Sequence, residues 1–295
     1  MPGIGVDPQP KVTVPRLLEM NAAGERIAMV TAYDHPSARL ADQAGVDVVL
    51  VGDTLAEVIQ GHATTLPVTL DEMIYHARLV RRGCCRALLV GDLPFGSYQI
   101  SAQAALESAV RLIKEGGVEA VKLEGGINVA ATIAAIAAID IPVIGHIGLT
   151  PQSIHRMGGY RLQGRRSGRS PGQRERLLED ARAVEEAGAF AVVLEAIPRD
   201  LAAEITAQLR IPTIGIGAGA SCAGQVLVMH DVLGLSERRP RFARAYADLR
   251  TQALAAMEAF VRDVRAGAFP TARHSYGAGP GNGADPPVGE MPVSS

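Results

Sequence analysis

Net charge of one sign is almost missing from this chain: 29 Lys and Arg stand against 31 Asp and Glu in 295 residues, a formal −2 at pH 7. No block of like charges stands out either, which argues against a nucleic-acid groove or an anionic membrane surface as the target. Cysteine is scarce. The three present, adjacent Cys84 and Cys85 plus Cys222, cannot build a disulfide framework and fit a reducing compartment. No charged-then-apolar leader opens the sequence, so a cytoplasmic location is expected. Long apolar runs are lacking too: the most apolar stretch, residues 130–145, is broken by Asp140 and Pro142 and falls short of the roughly 20 residues a spanning helix needs. What remains is a chain expected to act on small molecules.

Hydrophobic residues make up 47% of the sequence, enough to fill a large core. They are organised as short Val/Ile/Leu-rich runs, each closing on a polar residue or glycine and followed by a helix-like segment. The runs end at Asp34, Asp53, Asp92, Glu124, His146, Glu195, Gly219 and His230. Near-continuous apolar strands are the mark of a parallel sheet buried on both faces, and eight strand–helix units predict an α/β fold, a (β/α)8 TIM barrel. The expected strands are 28–34, 46–53, 87–92, 120–124, 142–147, 190–197, 212–219 and 225–230. A short helix over 13–20 is expected to cap the barrel floor, and a helical tail runs from Arg241 to Ala266. Residues 1–276 read as one barrel domain and 277–295 as a disordered tail too poor in apolar residues to order itself. Two loops are long: 54–68, expected to fold over the site, and 158–172, a mobile Gly/Arg-rich segment.

Barrel enzymes build their sites at the carboxyl ends of the strands, so ionisable strand ends are the candidates. Asp53 and Asp92 close neighbouring strands and could aim two carboxylates at one cation. Carboxylates with retained waters suit Mg2+ better than Zn2+, and no Cys/His cluster competes. Lys122 and Glu124, two apart, share one side of their strand. They are readable as a structural ion pair, as site residues, or through Lys122 as a Schiff-base lysine. His146 is a core histidine or a donor to a substrate oxygen. Glu195, behind four apolar residues, is the expected general base. The run Gly215-Ile-Gly-Ala-Gly219 lacks the Lys and Ser/Thr of a P-loop and implies only close backbone approach. Asp34, just ahead of Pro36, is expected to cap a helix rather than bind a ligand.

The ordered segments TAYD (31–34), VGDTL (51–55), GHATTLPVT (61–69), DLPFGSY (92–98), KLEGG (122–126), GHIGLTPQS (145–153), GGYRLQG (158–164) and IGIGAG (214–219) resemble those of the ketopantoate hydroxymethyltransferase family. The likeness runs from Thr31 to Tyr276, ending on HSY (274–276). It implies a barrel of the phosphoenolpyruvate mutase/isocitrate lyase type. It also implies hydroxymethyl transfer from 5,10-methylenetetrahydrofolate to 2-oxoisovalerate through a metal-stabilised enolate, in pantothenate biosynthesis. By motif, Asp53 and Asp92 correspond to Mg2+ ligands and Glu124 to an outer or water-mediated partner. Thr54, Lys122 and His146, with Asp53 and Asp92, correspond to substrate contacts, and Glu195 to the proton acceptor. A homodecamer is implied as well. The chain departs from the family pattern at Thr54 for serine, at Ala56 and Glu57 for glycine and an uncharged residue, and at Ala223 for aspartate. Two other readings are a related barrel carbon–carbon lyase or phosphonate enzyme, which needs a reactive cysteine in its active-site loop, and a non-catalytic oxo-acid-binding barrel.

Overall fold

The computed structural model describes residues 10–165 and 172–276. The expected tail 277–295, most of the N-terminal segment, and part of the 158–172 loop lie outside the described residues. Contacts divide the chain into a unit ending at Ala247 and a second unit beginning at Asp248.

In the first unit eight parallel strands close into a barrel in chain order. They are β1 (Ile27–Thr31), β2 (Val48–Val51), β3 (Leu88–Asp92), β4 (Ala120–Glu124), β5 (Val143–Gly148), β6 (Ala191–Glu195), β7 (Thr213–Ile216) and β8 (Gly224–Leu227). Helices alternate with them: α1 (Val14–Ala23), α2 (His35–Gln43), α3 (Leu55–Val58), α4 (Leu70–Gly83), α5 (Ala102–Arg111), α6 (Ala130–Ala137), α7 (Ile154–Met157), α8 (Gln173–Glu186), α9 (Arg199–Gln208) and α10 (Met229–Leu233).

Strand periodicity sorts the apolar residues into two cores. Met29, Val48, Leu50, Leu88, Val90, Ala120, Ile144, Ala191, Val193, Ile214 and Val226 fill the barrel interior, and Leu17 and Met20 of α1 join them, so this helix plugs the floor as expected. Residues one step out of phase, such as Val49, Leu89, Val121, Val143 and Val192, pack against the outer helices. Full burial of each large side chain contributes about 1.5–3 kcal/mol. Carried upward, the interior columns of β3, β4, β5 and β6 turn from apolar to ionisable: Val90 leads to Asp92, Ala120 to Lys122 and Glu124, Ile144 to His146, and Val193 to Glu195.

Local signals end the helices where the sequence places them. Asp34 caps α2 by accepting from Ser37 N at 2.8 Å, and Thr69 and Glu72 form a capping box on α4. Ser101 caps α5. Five strands end before the expected residue: β1 at Thr31, β2 at Val51, β6 at Glu195, β7 at Ile216 and β8 at Leu227. β8 stops at Leu227 because Met229 N leaves the ladder to donate to Thr31 Oγ1 at 3.1 Å, and His230 therefore sits in α10. Gly217 and Gly219, both at positive φ, turn the chain away after β7. What approaches Gly217 closely is the Phe242 ring, which a Cβ there would meet at 2.7 Å.

The second unit holds α11 (Leu249–Arg265), capped by Asp248, shorter at its start than the expected 241–266 helix. Leu254, Met257, Phe260, Val261 and Val264 are exposed on it. Phe260 and Phe269 meet edge to face at 5.7 Å, and Phe269 lies 5.1 Å from the His274 ring.

Candidate active site

All seven site residues expected from the sequence line one cavity of about 50 Å³ at the carboxyl ends of the strands: Asp53, Thr54, Asp92, Lys122, Glu124, His146 and Glu195. Register brings them together, since Asp92 pairs with Lys122 and Glu124 with His146 across neighbouring strands. Lys122 Nζ stands 2.8 Å from Asp92 Oδ1 and 3.2 Å from His146 Nδ1. His146 reaches Glu195 Oε2 at 3.2 Å through Nε2 and Glu124 Oε1 at 3.5 Å through Nδ1. Asp53 donates its backbone N–H to Asp92 Oδ2 at 3.1 Å, and Thr54 Oγ1 meets the Tyr33 hydroxyl at 2.6 Å.

Four carboxylates therefore face at most two cations, and all but Glu195 are buried. Burial, then the charges of Asp92 and Glu124, push the Asp53 carboxyl well above its ordinary range despite Lys122 and Gln152. Burial raises Asp92 too, with Lys122 opposing. Burial alone would strip Lys122 of its proton, yet the surrounding Asp92, Glu124 and Asp53 hold it more firmly than usual. For His146, burial and Lys122 act against the proton, and the hydrogen bonds to Glu124 and Glu195 prevail, raising its pKa to about 9. The Lys122 approach is a donor–acceptor contact only while Nδ1 is bare, so it opposes that rise; two carboxylates against one ammonium set the direction.

This crowd of negative charge fits a divalent cation. Asp92 Oδ1 has no hydrogen-bond partner, only the Lys122 ion pair. Among the described residues no three His, Cys, Asp or Glu side chains converge as a ready-made metal cage. Glu124 explains why: its Oε2 accepts from Gln152 N at 3.0 Å and its Oε1 faces His146. Asp53 and Asp92 are the carboxylates that could hold such a cation, a donor set of hard oxygens that suits Mg2+.

Gln152 is the residue sequence reasoning missed. Its side chain donates to Asp53 Oδ2 at 2.9 Å and to Leu93 O at 3.0 Å, and accepts from the Tyr98 hydroxyl at 2.8 Å. Tyr98 in turn touches the Glu124 backbone at 3.1 Å. Both lie inside quoted motifs, but no spacing rule brings Gln152 to Asp53, 99 positions away. Ala196, directly after Glu195, takes a left-handed φ of 45°, and this strain is held by Ala196 N donating to Ile216 O and Gln163 N donating to Ala196 O, each at 2.9 Å. His230 falls beside Tyr33, ring centroids 5.8 Å apart, and is not a strand-end ligand.

A closed parallel barrel with buried carboxylates, a lysine and a histidine at its mouth defines an enzyme of the (β/α)8 class. Among solved structures, phosphoenolpyruvate phosphomutase from Streptomyces platensis subsp. rosaceus matches it at TM-score 0.58 with 18% identity, covering 86% of this chain and 88% of that one. A 2,3-dimethylmalate lyase of the phosphoenolpyruvate mutase/isocitrate lyase superfamily matches at 0.56 with 17% identity, covering 89% and 91%. In sequence, the family model described as ketopantoate hydroxymethyltransferase matches residues 11–272. The 3-methyl-2-oxobutanoate hydroxymethyltransferase of Pelobacter propionicus is 57% identical over 271 residues, 92% of this chain and 99% of the relative. That of Geotalea daltonii is 56% identical over 265 residues, 90% and 98%. The chain belongs to the ketopantoate hydroxymethyltransferase family and is an enzyme of that kind.

Proposed function

We propose that this enzyme transfers a hydroxymethyl group from 5,10-methylenetetrahydrofolate to 3-methyl-2-oxobutanoate (2-oxoisovalerate), giving 2-dehydropantoate and tetrahydrofolate. The setting is pantothenate synthesis in the cytoplasm, with residues 1–276 as the catalytic domain. The observation that carries the reading is the buried Asp53–Asp92 pair, with Lys122 at 2.8 Å and the His146–Glu195 contact beyond it. Asp53 and Asp92 would hold Mg2+, with Glu124 joined through water. When bound, Mg2+ supplies positive charge beside the oxygen on which enolate charge develops. Lys122 and Thr54 hold the substrate carboxylate, and His146 donates to a substrate oxygen. Glu195 takes the hydrogen on the β-carbon. Both bonds from the folate methylene to nitrogen break, each electron pair going to nitrogen: the β-carbon replaces one and the hydroxyl of a water molecule the other, while the protons from Glu195 and from that water go to the two folate nitrogens.

Lys122 keeps its proton among three carboxylates, so it serves as a cation and not as an imine-forming nucleophile. The cysteine-dependent lyase reading finds no support: Cys84 and Cys222 are buried ahead of β3 and β8, at the other end of the barrel from the mouth, and burial pushes the Cys84 thiol up to about 12. The homodecamer implied by the family would cover the apolar side chains that α11 leaves in solvent.

Glu195→Gln keeps the shape and removes the basic oxygen. Exchange of the substrate's β-hydrogen in D2O, followed by NMR with Mg2+ and no folate, should fall about 10²–10⁴-fold while oxo-acid binding persists. Exchange at the wild-type rate would make another group the base. A wild-type protein that binds the oxo acid but neither exchanges it nor forms product would favour the non-catalytic barrel.

A further inference from the structure

The βα loops after β2 and β5, already joined below by Gln152 and Asp53, meet again over the mouth through a second side-chain pair. The Tyr160 hydroxyl donates to Glu57 Oε1 at 2.7 Å, joining residues 103 positions apart. Glu57 rides on α3, after β2, and Tyr160 follows α7, after β5. Those strands stand three places apart around the closed ring, so a direct contact between their loops has to cross the opening. The bond lies close to the chemistry: the charge of Glu195 is felt by both groups, and that of Asp53 by Tyr160. Each end is anchored differently. α3 is fixed by fully buried Leu55 and Ala56. The Tyr160 segment leaves α7 through Gly158 and Gly159, at φ 69° and 116°, and re-docks where Gln163 N donates to Ala196 O, next to Glu195. A rigid post and a glycine-flanked arm are the parts of a closing device.

The cavity beneath, about 50 Å³, has room for roughly three to five waters at ~10–15 Å³ each. A branched five-carbon oxo acid needs the roof to open, and an enolate formed below it needs the roof shut, because water reaching the carbanion returns a proton before the folate carbon can be attacked. Burial, with the charge of Glu195, raises the Glu57 carboxyl, against the Tyr160 bond.

We propose that Glu57 and Tyr160 are positioning residues whose hydrogen bond shuts the active-site mouth and directs the enolate toward the folate carbon instead of solvent reprotonation. This rests on the transferase reading given above. Neither residue takes or gives a proton in the reaction; they govern how an existing intermediate partitions.

The test compares Tyr160→Phe, Glu57→Leu, the double variant and Glu57→Gln, which keeps an oxygen able to accept from Tyr160. In D2O with both substrates, the ratio of β-deuterated oxo acid to 2-dehydropantoate is read by NMR. Tyr160→Phe and Glu57→Leu should each raise it about five- to tenfold, the scale of one lost hydrogen bond. The double variant should go no further than either single one, and Glu57→Gln should stay near wild type. An unchanged ratio in both single variants, or additive effects in the double, overturns the proposal. Amide hydrogen exchange of residues 154–163, without substrate, separates this failure from failure of the transferase reading. Faster exchange in Tyr160→Phe and Glu57→Leu supports the closure even if the wild type proves inert toward these substrates, and unchanged exchange overturns it.

Discussion

Replacing Gln152 by Leu should damage the site and the fold together, in amounts that the geometry fixes. The amide gives one hydrogen bond to the Asp53 carboxylate and one to the Leu93 carbonyl, and receives one from Tyr98 and one from the part-exposed Gln99 amide, which water can replace. A bond to a charged group contributes about 1.5–3 kcal/mol and a neutral one about 0.5–1.5. Tyr98 retains the Glu124 carbonyl as a partner at 3.1 Å, so its loss is partial, and Gln152 N still donates to Glu124 Oε2. Leucine returns some apolar contact, which leaves a net cost of about 3 kcal/mol and a fall in Tm of roughly 6–12 °C for a chain of this size. Freed from its donor, Asp53 loses its fixed orientation, and Mg2+ affinity should drop about 10–100-fold, the usual effect of removing a group that orients a ligand. Gln152→Glu offers a sharper contrast. It preserves shape but sets a fifth carboxyl against Asp53, so its defect should be small at pH 5.5, where a shared proton restores the donor, and large at pH 8. Thermal melts and calorimetric Mg2+ titration of both variants check this. Wild-type Tm and Mg2+ affinity in Gln152→Leu would refute the role assigned here.

Borohydride added during turnover should leave Lys122 unmodified, because a lysine held protonated by Asp92, Glu124 and Asp53 forms no imine; a substrate-sized mass increase on the Lys122 peptide would contradict this. At the far end of the barrel, burial alone would raise the Asp42 carboxyl, but the backbone N–H groups of Ala87, Cys85 and Arg86 hold it below the usual range. A depressed carboxylate stabilises the fold above its unfolded pKa of about 3.9, and that contribution is lost as pH falls through the folded value. Asp42→Ala should cost about 1–2 kcal/mol at pH 7, discounted for a carboxylate partly in water, and should flatten the acid limb of the stability profile. A variant with an unaltered acid limb would show that the loop closes without Asp42.

The candidate site was legible because strand periodicity and strand ends are local facts. Of the apolar runs that close on an ionisable residue, those of β2 to β6 deliver Asp53, Asp92, Lys122, Glu124, His146 and Glu195 to the mouth cavity, while Asp34 caps a helix and His230 lies in α10. Helix starts were equally local: Asp34, Thr69 and Ser101 each satisfy an N–H three residues on. Less was legible where apolar runs continue past a strand. Val228 and Met229 extend the last run in sequence, but an N–H captured by Thr31 ends the ladder and starts a helix. The 54–68 loop hid α3, since four residues are too few to show a helical period.

Sequence alone determined the barrel, its interior columns and the residue types at its mouth, because alternation along a strand is set by the pleat and needs no partner. Only the tertiary structure decided which of those groups touch. Strand register set Lys122 against Asp92 and His146 against Glu124, and ring closure brought Gln152 to Asp53 and Tyr160 to Glu57 across 99 and 103 positions of chain. Such pairs leave no periodic trace, since the loops that carry them are placed by the closure of the whole sheet and not by their own residues.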